Sequence, residues 1–187
     1  MRHFIILAVL ILALTALVYF GLDTIGLLPE SASLQAVTID WLFDLEIMAI
    51  SFLFSLIMVP LVYSLIVFRR KKGETGDGEH IEGHTKLEIA WTLIPLFLVL
   101  GLAYLGAWSL GDTLRADPEA MVIEVNAFQW GWKFKYPEYG ITTTELYLPL
   151  DKQVKLVMES SDVIHSFWVP EFRVKQDIIP GQTTELR

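Results

Sequence analysis

The sequence of 187 residues contains no cysteine. Disulfides, thiolate zinc sites, iron–sulfur clusters and cysteine nucleophiles are therefore excluded within it. Positive charge is also short: 14 Lys and Arg stand against 22 Asp and Glu, giving a net charge of −8 and a pI of about 4.9. That balance excludes a strongly basic nucleic-acid binder, and no nucleic-acid partner is expected. There is no Gly-rich phosphate loop, no paired-His zinc motif and no Ser/His/Asp set in recognisable surroundings. Charge of either sign is sparse, 19% against 53% apolar, and the mean hydropathy of +0.49 is too high for an ordinary soluble domain.

What is present divides sharply. Phe4–Leu22, Ile47–Phe68 and Ile89–Gly111 are charge-free runs of 19, 22 and 23 residues, and about 20 apolar residues cross a hydrocarbon core. Three membrane helices are expected, near Phe4–Leu22, Asp40–Phe68 and Leu87–Leu110. The first, after Arg2 and His3, has a second reading as a cleaved signal peptide. A retained helix is preferred, because the run is long for a signal core and ends in Gly21-Leu22-Asp23 without a small-x-small site. Arg69-Arg70-Lys71-Lys72 abuts the second run, whereas Asp23–Glu46 holds five acids and no Lys or Arg. The positive-inside rule then places the N-terminus and loop 69–86 in the cytoplasm, and everything after Gly111 on the outer face of a cell membrane. Trp41, Trp91 and Trp108 fall where an interfacial aromatic belt would lie. Pro60 and Pro95 predict packing kinks within their spans. The Gly-rich stretch Gly73–Gly83 reads as a mobile loop.

The division expected is 1–22 as an N-terminal transmembrane helix or signal anchor, 23–111 as a helical hairpin, and 112–187 as an outer domain. In that last part the period changes to two. Gln129–Tyr136 alternates, with Trp130, Trp132, Phe134 and Tyr136 on one face. Val154–Met158 alternates likewise, Val163–Val169 is a short strand-like run stopped by Pro170, and Pro180-Gly181 marks a turn. About five strands separated by turns point to a β-sandwich or barrel.

Candidate chemistry is concentrated in few places. His3, His80 and His84 lie at the terminus or in the loop and read as solvated. His165 sits in the apolar, aromatic-flanked run Asp162–Pro170. Two readings are open for it, a hydrogen-bonded core histidine or a metal ligand, imidazole being a favoured copper donor. Trp130 reads as an aromatic lining the sandwich. Glu88, in a first helical turn, gains roughly 0.3–1 kcal/mol from the helix dipole whatever else it does.

Four segments carry a resemblance. Lys86–Pro95 (KLEIAWTLIP), Phe128–Trp132 (FQWGW), Ser161–Pro170 (SDVIHSFWVP) and Lys175–Gly181 (KQDIIPG) resemble, in order and spacing, motifs of cytochrome c oxidase subunit II. The resemblance covers roughly Trp41 to Arg187. It implies membrane helices followed by a cupredoxin-like Greek-key β-sandwich, with a dinuclear copper centre that takes electrons from cytochrome c. Those electrons pass to haem in subunit I, where oxygen is reduced to water with proton translocation. The same resemblance makes His165 the first copper ligand and Trp130 the residue that receives the electron. It places Asp162 in donor docking and Glu88 at the entrance of a proton-uptake path. Subunit I, other oxidase subunits, cytochrome c and the bilayer are the implied partners.

Departures accompany the likeness. Gly131 stands where the family usually has an aromatic, Lys135 where better-known members have an acid, and Gln182 where Arg is common. Lys135 opposes the acidic field of the outer region, which suggests a less basic or tethered donor. The Cys-x3-Cys loop that completes the copper site is missing. A continuation carrying it, with a second His and a Met, is therefore expected. The alternative is a copper-free subunit of quinol-oxidase type, structural in role. Those relatives typically lack a His at the position of His165.

Overall fold

The computed structural model describes residues 1–78, 80–115 and 117–187. Three helices, α1 (Arg2–Ile25), α2 (Leu34–Val67) and α3 (Thr85–Thr113), are each long and apolar enough to cross a membrane. Their ends explain their lengths. At the C-terminus of α1, Gly26 takes a left-handed φ of 66°, and its N–H bonds the Asp23 carbonyl. Ser33 caps α2, its Oγ accepting from the Ala36 N–H at 3.1 Å. That cap starts α2 six residues before the expected Asp40. Most of the supposed acidic loop is thus helix, with Asp40, Asp44 and Glu46 on its early turns. The hydropathy pattern misses this because the acids interrupt the apolar run while the backbone continues. Within α2, Ser51 and Ser55 are fully buried and bond back to the carbonyls of Ile47 and Ser51. Pro60 and Pro95 lie inside α2 and α3.

The chain separates into two compact units: residues 1–27 with 40–106, and residues 28–39 with 107–187. Among the described residues, the second contains seven strands rather than about five: β1 (Met121–Phe128), β2 (Gly131–Tyr136), β3 (Ile141–Thr143), β4 (Val154–Ser160), β5 (His165–Val169), β6 (Val174–Ile178) and β7 (Thr184–Leu186). One sheet has the order β3-β2-β1-β4-β7, with β1 and β4 parallel; β5 and β6 form a second, antiparallel pair. Ile123, Val125 and Ala127 of β1, Phe134 and Tyr136 of β2, and Leu156 and Met158 of β4 meet Phe167 and Ile178 of the β5–β6 pair in one core. This is the β-sandwich that the period-two pattern predicts.

Trp130 departs from expectation. The alternation stops at the β1–β2 turn, where Phe128 pairs with Gly131, and Trp130 projects from that turn 92% exposed. Phe134 and Tyr136 are buried and Trp132 is half-buried, so the core face is three aromatics, not four. A Cβ at Gly131 would lie 3.1 Å from the Phe128 ring, a tight approach that the ring would have to yield to.

Tyr136 fastens the long connection after β3. Its hydroxyl donates to the Tyr147 carbonyl at 2.9 Å and accepts the Tyr147 N–H at 2.7 Å. Tyr136→Phe leaves both part-buried backbone groups unpaired, and we expect chemical denaturation to show a loss of about 1–3 kcal/mol. An unchanged midpoint would mean that water replaces both bonds.

In the same unit, the segment before α2 is tied to the one-turn helix Pro170–Phe172 between β5 and β6. Ala32 N–H bonds the Glu171 carbonyl at 2.9 Å, Ser33 Oγ donates to the Phe172 carbonyl at 3.2 Å, and Arg173 Nη2 donates to the Pro29 carbonyl at 2.6 Å.

Candidate functional site at the sandwich tip

The connection from β4 to β5 builds the site. It is sewn to the end of β1: Ser161 N–H bonds the Ala127 carbonyl at 3.0 Å, and Ser161 Oγ donates to Asn126 Oδ1 at 2.9 Å. Ser160 Oγ donates to the Val163 carbonyl and accepts the Asp162 N–H. These bonds turn the Asp162 carboxylate toward two neighbours that sequence distance separates. Oδ2 accepts the N–H of Gln129, beside Trp130, at 2.6 Å. Oδ1 accepts the Val163 N–H at 2.7 Å and lies 2.7 Å from His165 Nε2.

Asp162 therefore joins the Trp130 turn to His165. Its bond with His165 is the main cause that holds its carboxyl down to about 2, aided by the Val163 and Gln129 N–H groups and opposed by partial desolvation. The carboxylate is ionised at neutral pH and a full acceptor for all three donors. In the neutral imidazole that donates Nε2–H to the Asp162 carboxylate, Nδ1 is the nitrogen that carries the lone pair. The imidazole packs edge-on to Trp132, with centroids 6.0 Å apart, and Trp132 does the same to Phe167 at 5.9 Å.

Around this centre the surface is mixed. Val163 and Ile164 are exposed beside Asp162, and Trp168 is exposed on β5 under the Lys175 ammonium at 5.7 Å. Lys135 does not stand free, since its Nζ bonds Glu124 Oε2 at 2.8 Å across the β1–β2 ladder. The pair is locally neutral, so Lys135 opposes the acidic surface less than its sequence position suggests.

Glu88 lies elsewhere, in the first turn of α3. His84 caps that helix: its Nδ1 accepts the Leu87 N–H at 3.2 Å, while Glu88 Oε1 accepts the His84 N–H at 3.1 Å. This reciprocal cap is one residue longer than the usual capping box. Neither His84 nor His3 is merely solvated; His3 Nδ1 lies 2.7 Å from the Tyr63 hydroxyl. Of the loop Gly73–Gly83, Glu79 lies outside the described residues.

Trp130, Asp162 and His165 thus form one hydrogen-bonded constellation on the sandwich, while Glu88 belongs to the helical unit. Two models of one family match the chain in this same order. The transmembrane domain of cytochrome C oxidase subunit II matches residues 21–110, and the periplasmic domain of that subunit matches residues 141–187. The chain belongs to the cytochrome c oxidase subunit II family.

Curated relatives agree. Over 86% of the chain it is 34% identical to cytochrome c oxidase subunit 2 of Synechocystis sp., covering 63% of that protein. The counterpart from Thermostichus vulcanus is 33% identical over 85% of the chain and 65% of its own length. Quinol oxidase subunit 2 of Bacillus spizizenii is 30% identical over 68% of the chain and 43% of its own length. The chain spans less than two thirds of the length of each.

Cytochrome c oxidase subunit II is generally a copper protein, and the donor set here can be tested against that. A dinuclear copper pair needs soft thiolate ligands. The sequence has no cysteine, and among the described residues no three His, Cys, Asp or Glu side chains converge as a metal site. His165 supplies one imidazole nitrogen. The residues present do not by themselves fit a dinuclear copper centre.

Proposed function

We propose that this chain serves as subunit II of a respiratory cytochrome c oxidase. Its outer domain meets cytochrome c, and the partner haem subunit reduces oxygen to water with proton translocation. The observation that carries this is the constellation at the sandwich tip. An exposed indole, Trp130, is tied through Gln129 and Asp162 to the imidazole of His165.

In this reading Trp130 receives the electron. Asp162 positions both partners and adds negative charge to the docking surface, and His165 is a copper ligand. The thiolates would come from outside these 187 residues. The helices sit in the cell membrane with the N-terminus and residues 69–86 inside. Residues 1–22 form the first membrane segment, 23–111 the hairpin and 112–187 the outer domain. Residues 112–187 carry twelve acids and eight bases. Such a field speeds encounter with a basic donor and weakens with salt.

Copper content and near-infrared absorption of the complex purified through this chain test the copper assignment. Two coppers beyond any held by the haem subunit, with a near-infrared band, support it; a copper-free outer domain supports the quinol-oxidase reading. That second reading is supported by one observation, the 30% identity of the chain to a quinol oxidase subunit.

Glu88 is proposed at the entrance of a proton-uptake path. The cap offers a way to separate charge from structure. Glu88→Gln retains an oxygen that accepts the His84 N–H but removes the ionisable group. We expect both Glu88→Gln and Glu88→Ala to slow turnover severalfold while the electron-uptake phase stays at the wild-type rate. Normal turnover in Glu88→Gln, with a defect only in Glu88→Ala, would reduce Glu88 to a helix cap.

A further inference from the structure

The rim formed by the start of α1 and the end of α2 carries charge that the oxidase reading leaves unused. Arg2 opens α1, and Arg69, Arg70, Lys71 and Lys72 follow α2. His3 brings the two ends together. Besides its 2.7 Å contact with the Tyr63 hydroxyl, its ring lies 5.9 Å from that of Tyr63 and 5.4 Å from that of Phe68. Among the described residues, none of these five cations is in an ion pair. Arg70 donates to the Gly76 carbonyl at 2.6 Å, and the Glu74 carboxylate accepts the backbone N–H of Lys71 at 2.9 Å. Next to the cations, Phe4, Leu65, Ile66 and Phe68 are 64–77% exposed.

A positive cluster after one helix is what membrane orientation alone requires. The His3–Tyr63–Phe68 contact is additional, because it holds the neighbour of Arg2 against the end of α2, which four cations follow, at the border of an apolar surface. We propose that this rim is a binding site for an anionic phospholipid. The headgroup phosphate lies between Arg2 and Arg69–Lys72, and the acyl chains run along Phe4, Leu65, Ile66 and Phe68. The exposed apolar band favours a lipid over free phosphate. Juxtamembrane cations each favour anionic lipid by about fivefold at low salt. The site goes beyond the oxidase reading, sharing with it only the retained first helix and the inner placement of residues 69–72.

The test uses the full chain in phosphatidylcholine vesicles containing a trace of photoactivatable phosphatidylglycerol, with crosslinks mapped by mass spectrometry. Labelling should concentrate on residues 1–5 and 61–72, exceed that by a phosphatidylcholine analogue severalfold, and resist millimolar inorganic phosphate. R69Q/R70Q/K71Q/K72Q should remove the preference. Tyr63→Phe, which leaves every charge and the orientation signal in place, should lower labelling near Arg2 at least twofold, as should Arg2→Gln. Equal labelling by both lipid analogues would overturn the proposal. So would displacement by phosphate, or labelling unchanged in both Tyr63→Phe and Arg2→Gln. None of these readouts depends on oxidase turnover, so failure of the oxidase reading would leave them interpretable.

Discussion

Trp130→Ala should slow electron uptake from reduced cytochrome c by an order of magnitude or more, with donor affinity and domain stability nearly unchanged. The side chain is 92% exposed at the β1–β2 turn and contributes nothing to the core. Surface substitutions of this kind usually change stability by about 0.5 kcal/mol or less. In the proposed reading, donor attraction is spread over the acidic surface of residues 112–187, so one neutral residue removed from it alters long-range steering little. The contact through which an electron passes is not spread in that way. Rapid mixing at saturating donor, with melting and binding measured on the same preparations, checks the split. Equal losses in rate and binding would assign Trp130 to docking alone.

Asp162→Ala should lower the maximal electron-uptake rate at saturating donor while leaving the salt dependence of KM close to wild type. The carboxylate accepts from Gln129, Val163 and His165 at once. Its removal frees both the Trp130 turn and the imidazole. Asp162→Asn retains an oxygen that accepts a backbone N–H but loses the charge-assisted pairing, and should fall between. A docking role alone makes the opposite prediction: KM rises, its salt slope flattens and the maximal rate holds. The two carboxylate oxygens are already engaged within the domain, which is why positioning should dominate.

The helices were legible because a membrane span is written in composition: charge-free runs give both number and place. The start of α2 was not. Ser33 starts α2 through a single side-chain bond, and three acids beyond it hide the helix from a hydropathy reading. In the outer domain, alternation revealed β2 and β4. β3 and β7 have three residues each, and in β6 the polar run Lys175-Gln176-Asp177 masks the pattern. Alternation also misled, by running through the turn and placing Trp130 on the buried face. Motif resemblance drew attention to Trp130, Asp162, His165 and Glu88. It did not show that Asp162 links the Trp130 turn to His165, since Gln129 and Asp162 are 33 residues apart and meet only after β1 and β4 pair in parallel. The cap by His84 had a local signal, a polar residue four positions before Glu88.

The central claim, that this chain hands electrons from cytochrome c to an oxygen-reducing partner, is tested most directly by oxygen uptake of the complex purified through this chain. Reduced cytochrome c and a quinol are supplied in separate assays. Fast, salt-sensitive oxygen uptake with reduced cytochrome c, lost in Trp130→Ala, is the result this account predicts. Uptake supported by quinol alone, and the same in Trp130→Ala as in the wild type, would contradict it.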